Sequence, residues 1–136
     1  MRIAVIDGMG GGIGAELCGR LKELCGQGNE LIALGTNSIA TDRMIKAGAQ
    51  RGATGENAIR VMSALSDIIA GPIGIIIADS MMGEITARMA EAVLRAPAKR
   101  VLIPLQNEHI YIAGLGKDNL AKLIDDAAAY IRGAYG

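Results

Sequence analysis

Apolar and polar residues follow two rhythms along this chain. Arg2 to Ile6 is a short β-branched apolar run, while Leu17, Cys18, Leu21, Leu24 and Cys25 recur at helical spacing between Gly14 and Cys25. The pattern predicts a strand, a glycine loop and a helix. Glu30 to Leu34 reads as a second strand, followed by Gly35-Thr36-Asn37-Ser38 and a helix from Ile39 to Ala47. The first βαβ unit thus fits into about 34 residues, the size such a unit needs.

Ala49 to Ala53 occupies the place of a third strand, although it is short and polar. A helix from Gly55 to Leu65, capped by Thr54, leads to a strand over Asp67 to Ala70 that runs into the breaker Gly71-Pro72-Ile73-Gly74. Ile75 to Ala78 reads either as a further strand piece or as a buried approach to the next helix. That helix is predicted over Ser80 to Arg95, with Asp79 or Ser80 as its cap. Arg100 to Leu105 is another strand, and only Gln106-Asn107-Glu108 separate it from His109 to Ala113. So short a link excludes a parallel crossover and predicts an antiparallel hairpin. Lys117 to Arg132 closes the pattern as a helix. The alternation predicts a Rossmann-like three-layer α/β domain over residues 1–136. Its sheet is mostly parallel, with about five to six strands, helices on both faces and the antiparallel hairpin at one edge.

A chain of 136 residues has the length of one domain. Its 14 basic and 14 acidic side chains balance, which gives no general attraction to nucleic acid or an anionic membrane. No apolar run approaches the ~20 residues of a membrane span. The first strand starts at once and leaves no room for a signal peptide, so a cytoplasmic location is expected. Cys18 and Cys25 lie about two turns apart on one predicted helix, too far to bridge, and read as buried thiols. No Cys/His cluster is present, so no metal is expected. With three Tyr and neither Phe nor Trp, stacking on rings is not available for recognition, and an adenine would lie between aliphatic side chains.

The segment with the most chemical content is Asp7-Gly8-Met9-Gly10-Gly11-Gly12-Ile13-Gly14-Ala15. Gly10-x-Gly12-x-x-Ala15 fits the G-x-G-x-x-A dinucleotide fingerprint. Gly8-x-x-x-Gly12-Ile13-Gly14 resembles the loop of the short-chain dehydrogenases. In either alignment glycines let the chain turn off the strand, let backbone approach a pyrophosphate and let the helix pack closely. The helix N-terminus then offers N–H groups to the phosphates. Five of the seven residues from 8 to 14 are glycine, more than a tight turn needs. Asp7 would repel phosphate unless its carboxylate turns into the loop's own amides; it is also suited to anchor Mg²⁺.

NAD-preferring sites place an acid at the end of the second strand, against the ribose hydroxyls. Here Gly35, Thr36, Asn37 and Ser38 stand there, with Arg43 and Lys46 on the next helix, a set better suited to a 2′-phosphate. The expected cofactor is therefore NADP, or else NAD, with Gly71, Pro72 and Ile73 near the nicotinamide. Asp67 to Gly71 also resembles the fourth strand of the short-chain dehydrogenases, but Tyr111, Tyr130 and Tyr135 all lack the Lys four residues on that this family uses. Glu56, Asp79 and Glu84 are the best acid/base candidates near the crevice. Thr54, Asn57, Ser80 and Asn107 are further polar residues of that edge, His109 reads as a satisfied or exposed strand residue rather than a catalyst, and Met81, Met82 and Met89 read as core or interface filler.

Val5 to Gly14, Ala33 to Asn37, Gly52 to Arg60 and Gly71 to Thr86 together resemble a small uncharacterised family of short Rossmann-like proteins from clostridia-like bacteria. The resemblance implies the fold and supplies no activity. Two readings follow from the residues. One is a free-standing nicotinamide-dinucleotide-binding protein, an oxidoreductase if a homodimer or a partner completes its site. The other is a non-catalytic sensing or accessory module, or a binder of another phosphate-bearing ligand such as a mononucleotide, coenzyme A or a flavin.

Overall fold

A computed structural model describes residues 1–105, 110–116 and 119–135. In chain order the elements are β1 (Arg2–Asp7), α1 (Gly12–Leu21), β2 (Glu30–Gly35), α2 (Ser38–Ala47), β3 (Arg51–Thr54), α3 (Glu56–Leu65), β4 (Ile68–Pro72), α4 (Ala87–Arg95), β5 (Lys99–Ile103) and α5 (Leu120–Tyr135). Short 3-10 turns at Lys22–Leu24 and Ile73–Ile76 follow α1 and β4.

The five strands form one sheet in the order β3-β2-β1-β4-β5, and every pairing between them is parallel. Side chains alternate across it. Ile3 and Val5 of β1, with Leu31 and Ala33 of β2, face Leu17, Leu21, Met44, Ile124 and Ile131 of α1, α2 and α5. Ala4, Ile6, Ile32 and Leu34 face Ile59, Met89 and Val93 of α3 and α4. Because β1 and β2 are buried on both faces, they read as continuous apolar runs rather than as alternating ones.

Three expectations are corrected. The antiparallel hairpin is not seen among the described residues: β5 ends before Pro104, and Gly114 and Gly116 take positive φ in a turn that follows. Its connecting residues and His109 lie outside the described residues. The helix expected from Ser80 begins at Ala87, capped by the Thr86 hydroxyl, which accepts from the Met89 N–H at 3.1 Å. Residues 79–84 form turns instead. Thr54 does not cap α3; Gly55 stands at that position without a side-chain bond. Cys18 is buried, and burial pushes its thiol up to about 12, whereas Cys25 is only half-buried.

Candidate functional site

The strand order reverses between β1 and β4, and the loops that leave their carboxyl ends frame a crevice. Asp7 ends β1 with its side chain turned back into the following loop. It is 5% exposed, and its two oxygens accept from the Gly8 and Gly14 N–H groups, each at 2.8 Å. Its charge is therefore met by the loop's own amides. Burial raises its pKa above the ordinary value; the two N–H groups pull it back, the Glu84 carboxylate adds to the rise and Arg43 offsets it.

The glycines divide into two kinds. Gly11, the residue before α1, takes φ 72, and a Cβ there would lie 2.8 Å from Ala40 Cα. A Cβ on Gly8 would meet Thr36 Oγ1 at 2.6 Å, and one on Gly14 would meet Met44 Sδ at 2.5 Å. The fold itself requires these three. Gly10 and Gly12 are different, because the nearest atom to a Cβ at either is the Arg43 guanidinium, at 3.7 and 3.6 Å. The protein has room for side chains there that the sequence does not use. The N–H groups of Gly10, Gly12 and Ile13 have no partner among the described residues. They belong to the start of α1, where unpaired donors and the helix dipole concentrate positive charge. A cavity of about 260 Å³ lies against them, lined by residues 7–13 with Pro72, Met81 and Leu105. Arg43 donates to the Gly10 carbonyl at 3.1 Å and so stands beside the same loop.

At the tip of β2 a second cluster is tied to the first. Asn37 caps α2 by accepting from the Ala40 N–H at 2.9 Å and donates its amide to the Met9 carbonyl at 2.9 Å. Glu84 reaches this point from the loop after β4. Its Oε1 accepts from Thr36 Oγ1 at 2.5 Å, Asn37 Nδ2 at 2.8 Å and the Met9 N–H at 2.9 Å. The Thr36 hydroxyl first, then the Met9 N–H and the Asn37 amide, hold its pKa below the usual carboxylate range.

Of the residues expected at the site, Gly8, Met9, Gly10, Gly11, Gly12, Ile13, Asp7 and Pro72 line the cavity. Gly14 gives its N–H to Asp7. Gly35 and Gly71 are buried packing positions; a Cβ on Gly71 would run into the Ile6 carbonyl. Ile73 lies in the 3-10 turn outside the cavity lining. Thr36 and Asn37 hold the loops together through Glu84. Glu56 accepts from the Thr86 hydroxyl at 2.5 Å and joins α3 to α4. Asp79 is exposed, and His109 and Asn107 lie outside the described residues. Met89 is core and Met81 covers Gly8, whereas Met82 is 90% exposed. Leu105 and Met81 also line the cavity, against the expectation that Met81 is filler, and no local signal marks either.

Among the described residues no group of three or more His, Cys, Asp or Glu is placed to hold a metal ion. Among them, too, no helix is long and apolar enough to cross a membrane.

The dodecameric FMN-dependent Ubix-like decarboxylase from Escherichia coli O157:H7 is similar in structure, with a TM-score of 0.55 at 15% identity over 100% of this chain and 95% of that one. A universal stress protein in complex with cAMP matches at a TM-score of 0.42 and 18% identity, over 74% of this chain and 95% of its own. At these identities the first likeness shows the fold, a Rossmann-like α/β arrangement, and nothing finer. No curated protein matches the chain. The family model for the domain of unknown function DUF3842 matches residues 2–135, so the chain belongs to that family.

Proposed function

We propose that the glycine loop binds a nucleotide-type ligand, either a nucleotide or a flavin, by its phosphate. The observation that carries this reading is the set of N–H groups at Gly10, Gly12 and Ile13 that have no partner among the described residues. They open on a cavity beside two glycines whose missing side chains the fold does not require. A phosphate there meets the N-terminus of α1 and the Arg43 guanidinium. The ring system of the ligand packs on Pro72, Met81 and Leu105, aliphatic surfaces suited to a chain without Phe or Trp.

A nicotinamide dinucleotide fits this scheme with its adenosine ribose toward Thr36 and Asn37 and its nicotinamide toward Gly71, Pro72 and Ile73. The expectation of NADP takes hydroxyls, an amide, Arg43 and Lys46 in place of an acid at the tip of β2, and Glu84 supplies an acid there. The FMN dependence of the similar decarboxylase makes a flavin an equal candidate. A second copy of the chain, in a homo-oligomer, is the expected means of enclosing the ligand. A non-catalytic role as a sensing module is favoured by one observation: Asp7, Glu56 and Glu84 all have carboxylate oxygens engaged by hydrogen bonds within the protein.

Calorimetric titration with FMN, NAD, NADP, AMP and coenzyme A tests the reading. Gly10→Ala fits the fold but enters the space of the phosphate, so it should abolish binding while leaving the melting temperature within a degree or two, about the change expected of a benign surface substitution. Absence of binding by all five ligands, or undiminished binding by the Gly10→Ala protein, overturns it.

A further inference from the structure

The carboxylate at the tip of β2 comes from a part of the chain far from that strand. Thr36 and Glu84 are 48 residues apart in sequence, yet their side chains meet at 2.5 Å. All three donors fall on Oε1, and Oε2 has no hydrogen-bond partner among the described residues. A carboxylate with one oxygen left without a described partner therefore stands against Thr36 and Asn37 at the tip of β2, where a dinucleotide fold carries the adenosine ribose.

We propose that Glu84 makes this site select sugars with free hydroxyls at the tip of β2 and reject sugars that carry a phosphate there. The inference rests on the nucleotide reading above and names the class of ligand. A ribose hydroxyl donates to Oε2. A 2′-phosphate at the same point places two anionic groups together, a juxtaposition that costs affinity.

The nearby cations do not reverse this. Arg43 is directed to the Gly10 carbonyl, on the phosphate side of the glycine loop, and Lys46 pairs with Asp42 at 2.8 Å on the outer face of α2. Asp7, the other acid near the loop, adds to the negative potential when ionised. The three bonds to Oε1 hold the Glu84 proton off, so the charge persists across the neutral range.

Two matched pairs of probes, NAD with NADP and AMP with adenosine 2′,5′-bisphosphate, differ only in the 2′-phosphate. In the unmodified protein the member without it should bind tighter by about tenfold in each pair, the scale expected of one like-charge contact. Glu84→Gln keeps the side chain's shape and the acceptor for Thr36, Asn37 and Met9, replaces the other oxygen by an N–H donor and removes the charge. It should shrink both ratios to about threefold or less. A role confined to holding the loops together would weaken both members equally and leave the ratios unchanged, and that result overturns the proposal. Equal or tighter binding of the 2′-phosphorylated probes by the unmodified protein does so too. So does binding of FMN with no adenine nucleotide bound. In each of these cases the glycine-loop reading still stands if Gly10→Ala removes the binding that is seen. Should no probe bind, the nucleotide reading itself falls.

Discussion

Two loops at the carboxyl edge of the sheet reach left-handed backbone by different routes. The loop after β1 holds a single side chain in that region, Met9 at φ 52, and places glycine at its turn into α1, where Gly11 has φ 72. The loop after β4 places Asp79, Met81 and Met82 at φ 67, 57 and 57, followed by Gly83 at 87. A side chain in that region costs about 1–2 kcal/mol at each position, so the second loop holds a conformation that its sequence disfavours. Its own hydrogen bonds, from the Asp79 N–H to the Ile85 carbonyl at 2.7 Å and from Ser80 Oγ to the Gly74 carbonyl at 2.5 Å, close the turn. Glu84 then ties it to the glycine loop. Asp7 braces the first loop from within, its own turn bonds brace the second, and Glu84 joins the two. Strained backbone of this kind persists where surrounding contacts over-determine it, and it concentrates at functional sites.

The comparison breaks most severely at the floor that both loops share. Gly71 lies where β4 passes β1, and a Cβ there meets the Ile6 carbonyl, a backbone atom in the middle of the sheet. Gly71→Ala should therefore cost about 3 kcal/mol, at the upper end for overpacking, and displace both loops together. Urea denaturation measures the loss. A cost below that of a surface substitution would show that the strands can part without consequence.

Asp7→Asn tests whether the first loop is fixed from within. The amide of Asn confronts one of the two N–H donors that the carboxylate now satisfies, so a loss of about 1–3 kcal/mol is expected from the unpaired groups. The pH dependence has a definite sign. Since the folded-state pKa of Asp7 is raised from 3.8, its contribution to stability is fully present below that value and fades as the pH rises through the folded pKa. The advantage of the unmodified protein over Asp7→Asn should accordingly narrow as the pH rises from 3.8 through that window. Thermal melts of both proteins across the acid range check it, and a gap that widens there contradicts the burial of the carboxylate.

The same contrast explains what was legible in the sequence. β1, the glycine loop, β2 and α2 follow from local apolar runs, glycines and a capping Asn, all within reach of a short window. Asp7 turning into the loop amides was one of the alternatives its position allowed. The segment from Ser80 to Glu84 misled, because Met81, Met82 and Glu84 suit a helix and Ser80 suits a cap. What bends it into turns is the long-range grip of Glu84 on Met9, Thr36 and Asn37, which no local pattern records. The acid sought at the tip of β2 was missed for the same reason. β4 runs on to Pro72 because its last residues pair with Leu102 and Ile103, a partner strand that lies beyond a whole helix.

The smallest expected effect isolates the backbone term of the second loop. Met82 is 90% exposed, so removing its side chain gives up almost no packing, and the substitution Met82→Gly acts on the main chain alone. Relief of the left-handed conformation is worth about 1–2 kcal/mol. The added freedom of glycine in the unfolded chain offsets about 0.5–1 kcal/mol of it. The net expectation is a gain of up to about 1.5 kcal/mol, read as a small rise in the urea midpoint at an unchanged slope. Met81 has the same φ but covers Gly8 and packs against the α3–α4 core, so Met81→Gly should lose stability instead. Opposite signs at two neighbouring methionines with one backbone conformation would separate strain from packing. A loss at both would mean that the left-handed backbone is not where this loop stores its cost.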